Sequence, residues 1–213
     1  MGDLRSVAEA TANYLGTELQ LDAKDRAAIR FGLESFLDFI INLGVIIGIA
    51  WWLEITSYVL AVLVPSSLLR LVSGGAHCST FLRCLVLSLV IMIGIGQVAA
   101  TIIISHSLLY TSIVFLVASG VYVIHKWVPA DTPAKPIVST RKRAMYRKLS
   151  YIYMAIWIAV MSVLIFWSEA APGFALASIG GVGWQIFSIT PSGYRFVAII
   201  EKLTDKVIVL FRQ

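Results

Sequence analysis

The chain is expected to be an all-α, polytopic membrane protein of about six transmembrane helices, with an amphipathic helix lying in the interface before them and both termini in the cytoplasm. Two observations carry that expectation. The composition is 59% hydrophobic and 14% charged, which leaves too few polar side chains to cover a soluble domain of this length. The apolar residues also fall into runs about as long as a bilayer core is thick, and the basic residues fall on alternate sides of those runs.

The first segment, residues 1–35, is mixed. Leu4, Val7, Ala8, Leu15 and Leu19 recur at helical spacing on one face, with Ser6, Glu9, Asn13 and Gln20 opposite, a pattern suited to the inner membrane interface. Asp22 is placed to cap a second helix that leads into the first span. No small-residue cleavage motif follows the first apolar run, so no cleavable signal is expected.

Residues 36–190 form the expected six-span bundle. Phe36–Leu53 and Ile55–Val72 read as a tight hairpin broken at Glu54, with Trp51 and Trp52 at the far headgroup level. Cys84–Ile104 and Ser107–Ile124 follow, with Ser105 and His106 between them; Tyr151–Trp167 and Ala170–Thr190 complete the set. The last contains Gly180, Gly181 and Gly183, which let neighbouring helices approach closely. The remainder, residues 191–213, is a cytoplasmic tail in which Val197–Phe211 reads as a second surface helix. The whole is one integral membrane domain.

This span count puts all 17 basic residues on one face. They precede span one, flank the connection between spans two and three (Arg70, Arg83), fill the connection between spans four and five (Lys126 to Lys148) and follow span six. The positive-inside bias makes that face cytoplasmic and accounts for the sequence pI of about 9.3 without nucleic acid.

The connection from Arg70 to Cys84 is the chemically rich one. Gly74-Gly75 breaks a helix there, and His77 and Cys84 are a potential base and nucleophile. In one continuous helix they would stand about 10 Å apart along the axis, so they meet only if His77 lies on a turn that folds back over the start of span three. A nearby imidazole or cation raises the thiolate fraction of a cysteine. His77, Cys78 and Cys84 lack an evident fourth metal ligand, and no metal or other cofactor is expected. Spacing alone leaves a structural role open for both residues. Glu34, Asp38 and Gln97 are candidates to orient His77, each with an alternative role in pairing at the interface or between helices. His106 and His125 lie near other span ends.

The run Arg70…Gly74-Gly75-Ala76-His77…Cys84 resembles the signature of the accessory gene regulator protein B (AgrB) family, membrane peptidases of bacterial quorum sensing. The segment Val128-Pro129 to Lys135-Pro136-Ile137, with the basic residues through Lys148, resembles that family's Pro…Lys-Pro loop; Gly181…Gln185…Thr190-Pro191 is a looser match. The resemblance covers essentially the whole chain. It implies a cysteine endopeptidase at the cell membrane, its site facing the cytoplasm, acting on an AgrD-like precursor peptide. Cys84 matches the nucleophile and His77 the general base. Cleavage through an acyl-enzyme thioester would be followed by closure of a thiolactone ring. Arg70, Gly74, Gly75, Lys135, Arg141, Lys142 and Arg143 are then candidates for substrate binding. The basic segment has a second reading, attraction to anionic lipid. Cys78 stands where the family commonly has alanine. The resemblance also implies a homodimer. A transporter or channel is the rival class, but spans three to six lack the mid-span ionisable residues it would need, Glu169 being marginal; a membrane scaffold without chemistry is the third.

Overall fold

The computed structural model describes residues 2–130, 137–167 and 171–210. Eight helices follow one another: α1 (Gly2–Glu18), α2 (Ala23–Trp52), α3 (Thr56–Ser73), α4 (Phe81–Thr101), α5 (His106–Trp127), α6 (Thr140–Trp167), α7 (Ala171–Ile189) and α8 (Pro191–Leu210). Five of them, α2 to α6, are long and apolar enough to cross a membrane, and α7 with α8 makes a sixth candidate bent by 88°. The protein is a multi-pass membrane protein, and the six expected spans fall on α2 to α7 in order. The chain divides into two compact units, residues 1–48 and 49–213.

In the first unit, Asp22 Oδ1 accepts the Asp25 N–H at 2.7 Å and starts α2, as its position before a helical pattern anticipates. The expected entry helix and first span are one helix of 30 residues, roughly 45 Å long. Among the described side chains of α1, Ala8, Ala12 and Gly16 are buried, whereas Val7 (53% exposed) and Leu19 (62%) of the apolar stripe are not covered by protein. The small stripe admits close neighbours: a Cβ on Gly16 would collide with the Arg26 side chain. Arg26 Nε donates to Leu21 O at 3.0 Å, and Arg30 lies 4.0 Å from Glu9.

The second unit is built around α7, which packs against α3, α4, α5 and α6. Without a hydrophobic drive between helices in lipid, close packing depends on small residues at the contacts. A Cβ on Gly181 would strike the backbone of Val62 in α3, one on Gly180 the side chain of Ile95 in α4, and one on Gly120 that of Ile186. Hydrogen bonds fix the remaining register. Trp157 Nε1 donates to Ser178 Oγ at 2.8 Å between α6 and α7, and the Tyr153 hydroxyl donates to Pro65 O at 2.6 Å between α6 and α3. Tyr58 stacks on Phe174 with centroids 4.7 Å apart. Trp51 and Trp52, 75% and 77% exposed, end α2 ahead of a turn in which Glu54 takes a positive φ of 59°.

Two boundaries differ from the apolar runs, both at the basic face. α6 begins at Thr140, so Arg141, Lys142, Arg143, Arg147 and Lys148 form its first turns rather than filling a loop. Good helix formers without glycine or proline explain this: charge keeps the segment out of lipid but not out of a helix. The tail helix begins directly at Pro191. Thr190 Oγ1 accepts the Gly193 N–H at 3.1 Å, and proline suits the first helical position, so a new helix starts where α7 stops.

Candidate functional site

The site grows from the way α3 ends. Gly74 and Gly75 take φ values of 73° and 147°, conformations that favour glycine, and the Gly74 N–H still bonds Arg70 O at 3.0 Å. The chain then leaves the helix axis as an extended loop up to Thr80, which precedes α4. Neighbouring segments hold this loop. The Ala130 N–H donates to Ser73 O at 2.8 Å, the Gly75 N–H to Ala130 O at 3.3 Å, and the Ala76 N–H to Ser188 O at 3.0 Å. Arg147 Nε, from α6, reaches Val128 O at 3.3 Å. The Gly-Gly-Ala-His run, the Val-Pro-Ala segment and the end of α7 are thus joined by backbone hydrogen bonds, although they lie far apart in sequence.

Arg70 stands at the centre. Its Nη2 donates to Ala76 O at 2.6 Å and to His77 Nε2 at 3.2 Å, while Nη1 donates to Gln185 Oε1 at 3.2 Å. Electrostatic contact extends from the same guanidinium to Cys84, Tyr194 and Cys78. Cys84 lies in the first turn of α4, its N–H bonded to Thr80 O at 3.1 Å. The two residues expected to meet across the loop therefore share Arg70 as a neighbour. Among the described residues no hydrogen bond joins His77 to Cys84.

The His77 ring retains an exposed edge, yet the protein around it, and then the Arg70 charge, push its pKa down to about 4. It is neutral at physiological pH. Cys78 is pushed up to about 11, first by burial and then by the neighbouring Cys84 thiol, with Arg83 opposing. Both cysteines are free. A thiol held that high is a poor nucleophile at neutral pH.

The loop and the first turn of α4 are gripped by α8. Glu201 Oε1 accepts the Ser79 N–H, and Asp205 pairs with Arg83, whose Nη1 also lies 3.4 Å from Ser79 Oγ. Sequence reasoning did not single out these acids. Their spacing of four on an amphipathic tail was the available signal, since it sets both on one helix face.

Of the remaining candidates, Gly74 and Gly75 shape the loop, while Arg141 and Lys142 are exposed at the start of α6. Arg143 Nη1 donates to Ile137 O at 3.2 Å. Lys135 lies outside the described residues. Gln97 is exposed on α4, and Glu34 and Asp38 belong to the other unit. Among the described residues, the side chain hydrogen-bonded to the imidazole is Arg70. Among the described residues no group of three or more His, Cys, Asp or Glu side chains is arranged to hold a metal.

Comparison with known proteins gives the same family as the motifs. The family model described as Accessory gene regulator B matches residues 8–189. "Putative AgrB-like protein 2" of Clostridium perfringens (strain 13 / Type A) is 26% identical, over 96% of this chain and all of its own length. "Putative AgrB-like protein" of Clostridium perfringens (strain SM101 / Type A) is 24% identical over the same shares. No solved structure matches the chain. With the family model spanning residues 8–189, from α1 to the end of α7, the chain belongs to the accessory gene regulator B family.

Proposed function

We propose that this member of a quorum-sensing family is a membrane-embedded cysteine endopeptidase acting on an AgrD-like precursor peptide, with Cys84 as nucleophile and His77 as general base. The observation that carries the reading is the shared neighbour: Arg70 bonds His77 and lies in electrostatic contact with Cys84, at the mouth of a loop built on two positive-φ glycines.

The Cys84 proton passes to His77, and the sulfur attacks the carbonyl carbon at the cleavage position. Collapse of the tetrahedral intermediate breaks the C–N bond. The departing amine takes the proton back from the imidazolium, and the precursor's tail leaves while the rest stays on Cys84 as a thioester. A cysteine within the bound peptide then attacks that thioester, closes a thiolactone and returns the Cys84 sulfur. Exchange between thioesters is close to balanced in energy, so the second step needs proximity more than driving force. Partial shielding from water disfavours the competing hydrolysis. Arg70 supplies positive charge where negative charge develops. Arg141 and Lys142, exposed at the start of α6, are suited to an acidic peptide tail. The site faces the cytoplasm in this reading, on the side that carries the basic residues.

The test is cleavage of a candidate precursor by purified protein in lipid, followed by mass spectrometry. Cys84→Ser and His77→Gln should abolish cleavage and Cys78→Ser should retain it. Full turnover by Cys84→Ser, or loss in Cys78→Ser alone, would overturn the assignment.

A further inference from the structure

Gln185 has no task in the chemistry above, yet it is among the most thoroughly bonded side chains of the site. It lies within the last turns of α7, 1% exposed, in a helix that carries no charged residue. A buried amide there costs free energy unless its groups are satisfied, and a simple link between helices would need one bond. Gln185 makes several. Its Oε1 accepts from Arg70 Nη1 at 3.2 Å, and its Nε2 donates to Ser73 Oγ at 3.0 Å and to Gly74 O at 2.7 Å. Ser188 Oγ lies 3.3 Å from Oε1 and donates to Gln185 O at 2.8 Å. The partners fix the amide's orientation, because a guanidinium only donates and a carbonyl only accepts.

Three of those partners, Arg70, Ser73 and Gly74, are the hinge by which α3 hands the chain to the His77 loop. Arg70 then divides its donors, Nη1 to Gln185 and Nη2 to Ala76 O and His77 Nε2. Since Arg70 cannot accept, His77 Nε2 presents its lone pair to Nη2, and the ring proton resides on Nδ1. A neutral imidazole, as expected with its pKa near 4, is the form that can do this.

We propose that Gln185 is a positioning residue: by anchoring Arg70 Nη1, it holds Arg70 Nη2 against His77 Nε2 and selects the Nδ1–H tautomer of that imidazole. The lone pair that a base needs is thereby kept on the ring edge facing Arg70, the neighbour that His77 shares with Cys84. When Arg70 turns to a substrate oxygen, Nε2 exchanges one donor for another without reorientation of the ring. The catalytic consequence rests on the peptidase reading. The tautomer does not.

The experiment uses the full chain in lipid with 15N-labelled histidine, the His77 signals being those lost in His77→Gln. In the parent protein near neutral pH, Nε2 should resonate as an unprotonated, pyridine-type nitrogen and Nδ1 as a protonated one. Gln185→Met, matched in length and without donor or acceptor, should populate both tautomers and lower kcat for precursor cleavage at least tenfold. Gln185→Glu loses the donor to Gly74 O but keeps the acceptor for Arg70, and because the tautomer follows the Arg70 anchor it should keep the parent tautomer. A parent protein protonated at Nε2, an unchanged tautomer in Gln185→Met, or a mixed one in Gln185→Glu would each overturn the proposal. If Gln185→Met fails to fold, the parent and Gln185→Glu spectra still decide it. A parent protein that shows the expected tautomer but never cleaves precursor would overturn the peptidase reading instead and leave the positioning role standing.

Discussion

The depressed His77 pKa gives the site a pH signature that an ordinary histidine would not have. A general base works in its unprotonated form, so the acid limb of kcat/KM follows that ionisation in the free enzyme. With the pKa at about 4 rather than 6.5, roughly 97% of the imidazole is neutral at pH 5.5, against about 9% for an unperturbed ring. The parent enzyme should therefore keep nearly full kcat/KM at pH 5.5, about tenfold above the ordinary expectation. The sign follows from the cause: surrounding protein and the Arg70 cation both disfavour the imidazolium, so protons bind only at lower pH. Because burial is the larger cause, Arg70→Leu should move the limb upward only part of the way. The assay is initial-rate cleavage of a precursor peptide in proteoliposomes between pH 4 and 9, with structural integrity checked by circular dichroism at each pH. An acid limb centred near 6.5 in folded parent enzyme would refute the placement of His77 beside Arg70.

Three further expectations follow from the same geometry. Gly75→Ala forces a side chain onto a φ of 147° and sets its Cβ 2.8 Å from Ser188 Oγ and 3.2 Å from Arg70 Nη1; backbone strain plus a disturbed charge-assisted bond, about 3 kcal/mol or more, should lower kcat/KM roughly a hundredfold, and steady-state rates check it. Cys78, held at about 11, should be alkylated by iodoacetamide at pH 8 in the parent protein at least tenfold more slowly than an ordinary thiol; mass spectrometry after tryptic cleavage at Arg83, which separates it from Cys84, measures this. Ser178→Ala leaves the buried Trp157 N–H without its 2.8 Å acceptor and should cost about 1–3 kcal/mol, seen as a lower unfolding temperature in detergent, with Trp157→Phe in that background restoring most of it.

The membrane helices were legible because each is an apolar run of bilayer length, and the basic residues between them marked the ends on one face. Local chemistry was legible too: Asp22 caps α2, and Gly74-Gly75 ends α3 with positive φ. The start of α6 was not, because Arg141–Lys148 is excluded from the apolar window by charge while its backbone is as helical as the span that follows. Ala12 and Gly16 of α1 were not legible for a related reason, since alanine and glycine carry little hydropathy even where they are buried.

Sequence alone determined that this chain crosses the membrane, that its polar loop carries a histidine and a cysteine, and which family signature they compose, because hydropathy, charge order and motif spacing are properties of residues along one line. Tertiary structure decided what surrounds them. That Arg70 would take the imidazole, that Gln185 would hold Arg70 from 115 positions away, and that Glu201 would accept from Ser79 across 122 are matters of which helix ends meet. A buried amide or guanidinium is stabilised only by the partners that packing brings to it, and those partners have no fixed spacing in the sequence.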